Sequence, residues 1–224
     1  MKRCFIVVLV GAFLVLVVGS VAYADSGRFA VSAKPISTLG LGVEGTARIL
    51  PKLNARLGIN YYPYTYDEEE DDVDYDIDMN LFSGSALLDW HPFAGVFRIS
   101  AGLVLNRNEL DMEARPTGFV EIGDQEYAPA EVGTLSGDVD FRSVAPYVGI
   151  GWGNAVGEDK RWGFVCDLGI VFQGSPDADL AATGPIASDP TFQADLAKEE
   201  ENLEDDLDFF KYYPVISFGI SYKF

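Results

Sequence analysis

Tyr212–Phe224, YYPVISFGISYKF, ends the 224-residue sequence and decides the fold. From Pro214 onward every second residue is apolar, whereas the residues between are small or polar apart from Val215. A period of two predicts a strand with two unlike faces. A soluble domain gains little from an aromatic residue at its exposed terminus. A closed barrel in a bilayer, by contrast, pairs its last strand with its first and turns an apolar face to lipid.

The same alternation recurs upstream and divides the chain into eight predicted strands. They cover residues 27–34, 38–49, 53–62, 73–90, 97–106, 144–153, 162–173 and 212–224. Pro35 is expected to interrupt the first segment, because proline cannot donate to a ladder. A β-bulge is expected near Phe82–Gly84, where the apolar phase slips.

The connections between these strands support a membrane barrel. Short turns at Pro51, Pro92 and Gly157 alternate with long segments at Asp67, Pro116 and Gly174, the second with a small hairpin around Gly123–Asp124. In outer-membrane barrels short turns face the periplasm and long loops face outward. Aromatic residues fall at both ends, as two interfacial girdles would: Trp90, Trp152 and Trp162 by the turns, and Tyr61, Tyr62, Tyr64, Tyr66 and Phe172 at the other end. A soluble β-sandwich, which also alternates, is the alternative fold.

The first 24 residues have the pattern of a secretory signal peptide. A basic start precedes an apolar run from Cys4 to Val18, and Ala22-Tyr23-Ala24 forms a small-x-small cleavage site. After its removal 14 basic residues remain against 35 acidic ones, which argues against nucleic acid as a partner. Only Cys166 is left, so neither an internal disulfide nor a cysteine metal site is expected. We expect residues 25–224 to form one domain.

The chain resembles small eight-stranded outer-membrane proteins of bacteria, of the type formed by the membrane domain of outer membrane protein A. The resemblance rests on the alternating pattern and on the terminal Tyr222-Lys223-Phe224, and it covers nearly all of the mature chain. It implies an all-β, eight-stranded antiparallel transmembrane barrel in the bacterial outer membrane. It also implies membrane lipid, lipopolysaccharide and the barrel assembly machinery as partners. The assembly signal would be Phe218, Ile220, Tyr222 and Phe224.

Five charged residues fall on the predicted inward faces of the strands: Glu44, Arg48, Arg56, Arg98 and Asp167. The interior of an eight-stranded barrel is just wide enough for side chains to fill it. Buried charges cost several kcal/mol each unless they are paired. The row therefore predicts a salt-bridged plug that closes the lumen, and a narrow polar conduit or gated site is the alternative.

An acidic loop is predicted from Asp67 to Asp72, followed by carboxylates at alternate positions. Such carboxylates supply the oxygen ligands that Ca²⁺ prefers. However, the glycine that an EF-hand loop needs at its sixth position is missing. A solvated acidic rim is the favoured interpretation. The alternative is a divalent-cation site, bridging to lipopolysaccharide, at Asp72, Asp74, Asp76 and Asp78.

Between Ser188 and Phe210 the apolar spacing becomes helical. Ser188 or Asp189 can cap a helix that has Pro190 in its first turn. One face is apolar and the other is acidic, the apolar stripe being Phe192, Leu196, Leu203, Leu207 and Phe210. This predicts an acidic amphipathic helix, residues 190–210, in the last external loop. It is either a lid on the barrel mouth or a helix that binds a partner or ligand.

No catalytic constellation is evident in the sequence. The single histidine, His91, precedes Pro92 in a predicted periplasmic turn, where packing is its expected role. A lipid-modifying enzyme would need His91 to face the lumen or lipid near a serine. We expect no cofactor and a non-enzymatic barrel with a structural or surface-interaction role. The alternative is a narrow channel for small solutes, gated by the helix.

Overall fold

A computed structural model describes residues 27–70, 73–157 and 161–224, and the predicted signal peptide lies outside these ranges. Within them the chain forms thirteen strands and two α-helices. The strands are β1 (Phe29–Ser37), β2 (Leu41–Leu50), β3 (Leu53–Glu70), β4 (Val73–Trp90), β5 (Phe97–Asn106), β6 (Glu109–Pro116), β7 (Val120–Ile122), β8 (Gln125–Tyr127), β9 (Leu135–Asp140), β10 (Val144–Trp152), β11 (Trp162–Phe172), β12 (Asp177–Ala182) and β13 (Tyr212–Lys223). The helices are α1 (Pro129–Val132) and α2 (Pro190–Leu207). No helix of the described residues is long and apolar enough to cross a membrane.

Eight of the described strands close into an antiparallel barrel, in the order β1-β2-β3-β4-β5-β10-β11-β13. The last strand pairs with the first, from Ala30 opposite Lys223 to Ser37 opposite Ser217. This confirms the predicted fold. Pro35 does not end β1, which continues to Ser37, and the register instead shifts between Ala33 and Ile36. The ladder thus skips the residue that has no N–H to donate.

The outer surface of the barrel is apolar. Phe164 is 83% exposed. Large apolar side chains also face outward on the other barrel strands, among them Leu57, Leu88, Ile99, Leu103, Val148, Leu168, Ile216, Phe218 and Ile220. Aromatic contacts mark both ends of this band: Trp162 with Tyr222 and Phe97 with Trp152 beside the short turns, and Phe172 with Tyr212 at the other end. An apolar band between two aromatic girdles is the lipid-facing surface of a transmembrane barrel.

Beyond the barrel, the chain builds a second folded unit on the side of the long connections. The outer half of β4 leaves β5 and pairs with β6, which pairs with β9, and β9 pairs with β12. A hairpin of β7 and β8 turns around Gly123 and Asp124, as the sequence predicted. We call the outer halves of β3 and β4, together with β6–β9, β12, α1 and α2, the outer module.

Two expectations about the β3–β4 hairpin were wrong. Residues 67–70 belong to β3 rather than to a loop, and Asp71 and Asp72 lie outside the described residues. The β3–β4 register is continuous through Phe82–Gly84, so there is no bulge. The apolar phase changes because the lower half of β4 turns Ala86 and Leu88 to lipid, whereas the upper half pairs Ile77 with Met112 in the outer module.

The outer module has its own hydrophobic core. Ile122, Val132, Phe192 and Leu196 are buried together, and Val120, Tyr127, Leu135, Leu180, Ala182 and Ile186 pack around them. The prediction that the helix covers the barrel mouth as a lid is therefore wrong, because α2 packs on β12 and β7 of the outer module. The short 3-10 turn after it, Asp208–Lys211, reaches the barrel, where Gln173 Nε2 donates to the Phe210 carbonyl at 3.1 Å.

The first turn of α2 is capped by Asp189. Its Oδ1 accepts from the backbone N–H of Thr191 at 2.8 Å and of Phe192 at 3.4 Å. We expect Asp189→Ala to lower the helix stability by about 0.5–2 kcal/mol, because two N–H groups lose their acceptor. Faster amide exchange in residues 191–196 would show this. The neighbouring exposed Ser188→Ala is the control, and equal effects from both variants would contradict the cap.

Candidate functional site

Six charged side chains from six strands meet inside the barrel. We call Lys34, Glu44, Arg56, Asp89, Arg98 and Asp167 the lumen cluster, and each is at most 5% exposed. Three are basic and three acidic, so the cluster carries no net charge when all six are ionised. Buried charges are tolerated when they are paired and hydrogen-bonded in this way.

Asp167 is the hub of the lumen cluster. Its Oδ2 lies 2.7 Å from Lys34 Nζ and 3.0 Å from Arg56 Nη1, and its Oδ1 lies 2.7 Å from Arg98 Nη2. Ser217 Oγ also donates to Oδ2 at 3.2 Å. A single carboxylate thus joins three cations on three strands.

Glu44 and Asp89 complete the pairing. Glu44 lies 2.6 Å from Lys34 Nζ and 3.1 Å from Arg56 Nη1. Arg56 Nη2 donates to Asp89 Oδ1 at 3.1 Å, and Ser100 Oγ donates to the same oxygen at 2.6 Å. Arg56 therefore bridges all three carboxylates across the lumen.

An apolar layer lies on the outer side of the lumen cluster. It consists of Leu87, Val104, Ala145, Tyr147, Val171 and Val215, with Leu39 and Tyr213 packed against it. Gly149 and Gly169 face each other across β10 and β11, and a Cβ at either position would overlap the Tyr147 side chain. The two glycines make room for a tyrosine that would otherwise not fit.

Little empty space remains in the lumen. One cavity of about 10 Å³ touches Arg56, Asp89 and His91, and another of about 20 Å³ touches Lys34, Tyr147 and Asp167. A cavity needs about 10–15 Å³ to hold one water molecule. Each therefore admits about one water, and the charged and apolar layers together fill the barrel.

The structure brings together four of the five predicted lumen residues: Glu44, Arg56, Arg98 and Asp167. It places Arg48 apart from them, half-buried near the short turns, where it donates to the Val156 carbonyl. Sequence reasoning missed Lys34 and Asp89. Both lie on the inward phase of their strands, but Lys34 adjoins Pro35, which was taken to end β1, and Asp89 lies beside the outward-facing Trp90.

His91 joins two of the short turns. Its Nε2 lies 3.1 Å from Asn54 Nδ2, which can only donate, so Nε2 accepts and Nδ1–H donates to the Gly95 carbonyl at 3.0 Å. Its backbone N–H donates to the Lys52 carbonyl at 2.8 Å. Although His91 borders the smaller lumen cavity, both ring nitrogens are engaged in packing the turns, as the sequence predicted.

The possible cation residues were Asp72, Asp74, Asp76 and Asp78. Asp72 and the side chains of the other three lie outside the described residues, so this site stays a prediction. The backbone register aligns Asp78 with Asp111, Asp138 and Asp179 across four strands. Among the described residues, no group of three or more His, Cys, Asp or Glu is placed to hold a metal ion.

The acidic residues of α2 do more than face solvent. The backbone N–H of Leu180 donates to Glu200 Oε1 at 2.8 Å, and that of Ala178 to Glu204 Oε1 at 3.2 Å. Four helical residues rise about 6 Å, close to the rise of two residues in a strand. Glutamates four apart on α2 therefore match alternate N–H groups on the edge strand β12, a signal that the sequence contained.

Two further contacts fix α2 to the β7–β8 hairpin. Glu199 Oε2 accepts from the Gly123 backbone N–H at 3.2 Å, and the Tyr127 hydroxyl donates to Asp195. The hydrogen bond to Asp195 raises the pKa of Tyr127 to about 12, because loss of the phenol proton would remove the donor and place a second negative charge beside the carboxylate. The Tyr127 ring also meets Phe192 edge to face, with centroids 5.0 Å apart.

These features define the class of protein. A closed antiparallel barrel with an apolar outer band, two aromatic girdles and a filled interior is an eight-stranded β-barrel of the bacterial outer membrane.

The comparisons with known proteins agree on this fold. No protein-family model matches the chain, and no curated protein matches it. Among solved structures, CarO2 of Acinetobacter baumannii is 20% identical, with 90% of this chain and 100% of that chain covered and a TM-score of 0.58. CarO of the same organism is 19% identical, with 87% and 97% covered and a TM-score of 0.56.

Proposed function

We propose that the protein is a non-enzymatic outer-membrane barrel whose outer module makes surface interactions. The observation that carries this proposal is the filled lumen. The lumen cluster and the apolar layer cross the barrel one above the other and leave two cavities of about 10 and 20 Å³. A hydrated solute needs a continuous path, and two water-sized cavities separated by ion pairs do not supply one.

The outer module supports the interaction role. A loop that only closes a barrel needs no core of its own, yet this module buries Phe192 and Leu196 and binds its helix to the sheet through Glu200 and Glu204. A folded surface positions side chains for a partner better than a flexible loop does. Its row of aspartate positions favours cationic partners, including divalent cations that bridge to lipopolysaccharide.

A channel gated by the helix is the second candidate. It is favoured only by the 3-10 turn after α2, which joins the barrel mouth through Gln173 and Phe210. Buried Phe192 and Leu196 hold α2 to the outer module instead. A non-enzymatic role is supported by His91, whose ring nitrogens contact Asn54 and Gly95 beside a cavity too small for a substrate.

Single-channel conductance of the refolded barrel in a planar bilayer tests the proposal. We expect the wild-type protein to show no steady conductance, because the lumen is filled at two levels. The Phe192→Ala, Leu196→Ala double variant, which releases α2 from the sheet, should behave in the same way. An open porin recorded in the same bilayers is the positive control.

Two results would overturn the proposal. Steady conductance of the wild-type barrel would mean that the charged layer is a conduit. Conductance that appears only in the double variant would mean that α2 gates a channel.

A further inference from the structure

The outer module contains a partly open cavity with a volume of about 270 Å³. Its walls come from β6, β7, β9, β12 and α2, so five elements of the module surround it. Small-molecule pockets typically measure about 300–1,000 Å³, and an engineered cavity of about 150 Å³ already binds benzene. The space is therefore large enough for a ligand of roughly a dozen non-hydrogen atoms.

The walls of this cavity are mainly apolar. Met112, Ile122, Leu135, Leu180, Leu196 and Leu203 contribute side chains to it. Gly137 lies between two of them: a Cβ there would lie 2.8 Å from Leu180 Cδ2 and 3.5 Å from Met112 Cε. A cavity with such walls does not hold water well, because water needs two to four polar partners. An apolar group fits it better.

Two carboxylates place negative charge at the edge of the cavity. Glu121 lines it from the exposed hairpin, and the half-buried Glu199 lines it from α2. Glu199 is held in place because its Oε2 accepts from the Gly123 backbone N–H at 3.2 Å. A fixed carboxylate beside an apolar cavity favours a cation attached to an apolar body.

We infer that this cavity is a binding site for a small amphipathic cation, with its apolar body among the leucines and its ammonium group beside Glu199 and Glu121. This rests on the proposed function, since it assigns the ligand class of the same outer module. The two remain separable in experiment, because conductance reports on the lumen and ligand binding on the cavity.

The test follows the ¹³C-labelled methyl group of Met112 by NMR, in the full mature chain in lipid nanodiscs. The probes are 4-phenylbutylammonium, the uncharged 4-phenylbutanol and the anionic 4-phenylbutanoate. We expect the Met112 signal to shift saturably, with the cation bound about fivefold to tenfold more tightly than the alcohol, as two partly exposed carboxylates would provide. The anion should bind most weakly.

Variants separate the charge from the cavity. Glu121→Gln with Glu199→Gln should reduce cation binding to that of the alcohol, since glutamine can still accept from Gly123. Glu201→Gln with Asp205→Asn, two exposed positions on α2, makes the same charge change and should leave it unaltered. Ala114→Phe, which fills the cavity, should abolish the binding of all three probes, whereas the exposed Ala181→Phe should not.

Three results would overturn the inference. If no probe shifts Met112, the cavity is not a site for this class. Equal binding of the cation and the alcohol removes the role of the carboxylates. If Ala114→Phe does not fold, Leu203→Phe takes its place, and unchanged binding in a folded filled variant would mean that the probes bind elsewhere.

Discussion

Arg56→Met is expected to destabilise the barrel by about 3–5 kcal/mol, because it leaves three buried carboxylates with two cations. Arg56 contacts Glu44, Asp89 and Asp167, all within the lumen cluster. Methionine fills part of the volume but supplies no charge and no donor. Urea unfolding of the refolded protein in lipid, followed by tryptophan fluorescence, measures the change.

The exposed Arg107→Met is the matched control, and its effect should stay within about 0.5 kcal/mol, as for most surface substitutions. Adding Glu44→Gln to Arg56→Met should restore part of the lost stability, because one uncompensated charge is removed. Equal losses in the Arg56 and Arg107 variants would mean that the ion pairs do not stabilise the barrel. A double variant less stable than Arg56→Met would contradict the charge argument.

Phe192→Ala is expected to destabilise the outer module by about 3–5 kcal/mol while leaving the barrel intact. Phe192 is 1% exposed and joins α2 to the module core, where its ring meets Tyr127. Truncation leaves a cavity that the surrounding strands cannot fill. Amide hydrogen exchange should become faster in α2 and β12, whereas the barrel strands β10 and β11 should keep their protection.

Phe209→Ala is the matched control, because it removes the same side chain from a position that is 68% exposed. Its exchange pattern should resemble that of the wild type. Loss of protection throughout the barrel of Phe192→Ala would show that barrel and module fold as one cooperative unit. No change in α2 would show that the helix is held by its glutamates alone.

The barrel was predictable because membrane strands obey a local rule. Along β11 and β13 every second residue faces lipid, so a single sequence reveals both faces of each strand. The lumen residues Glu44, Arg56, Arg98 and Asp167 followed from the same rule. Their pairing could not be predicted in this way. Closure of the barrel brings Lys34 to Asp167, although the two residues are 133 positions apart and their strands are not paired with each other.

The outer module was not predictable in the same way. Its strands β6, β9 and β12 are short, and each pairs with a strand that is remote in sequence. Asp111 and Asp138 lie on the same face of this sheet. In the sequence, such acidic segments look like solvated loops. The helix could be predicted because Phe192 and Leu196 have helical spacing. The surface on which it packs could not, because that surface is a sheet that no local pattern indicates.

The glutamates of α2 that bind the β12 backbone have a consequence for crowding. A free sheet edge offers unpaired N–H and C=O groups to any strand that approaches it. In a membrane dense with identical copies, the edges of neighbouring molecules would meet repeatedly. Glu200 and Glu204 occupy the donors of Leu180 and Ala178, so a second copy would have to displace these hydrogen bonds before the two outer sheets could join there. The acidic helix thus leaves this part of the edge without the free donors that a strand of a second copy would need.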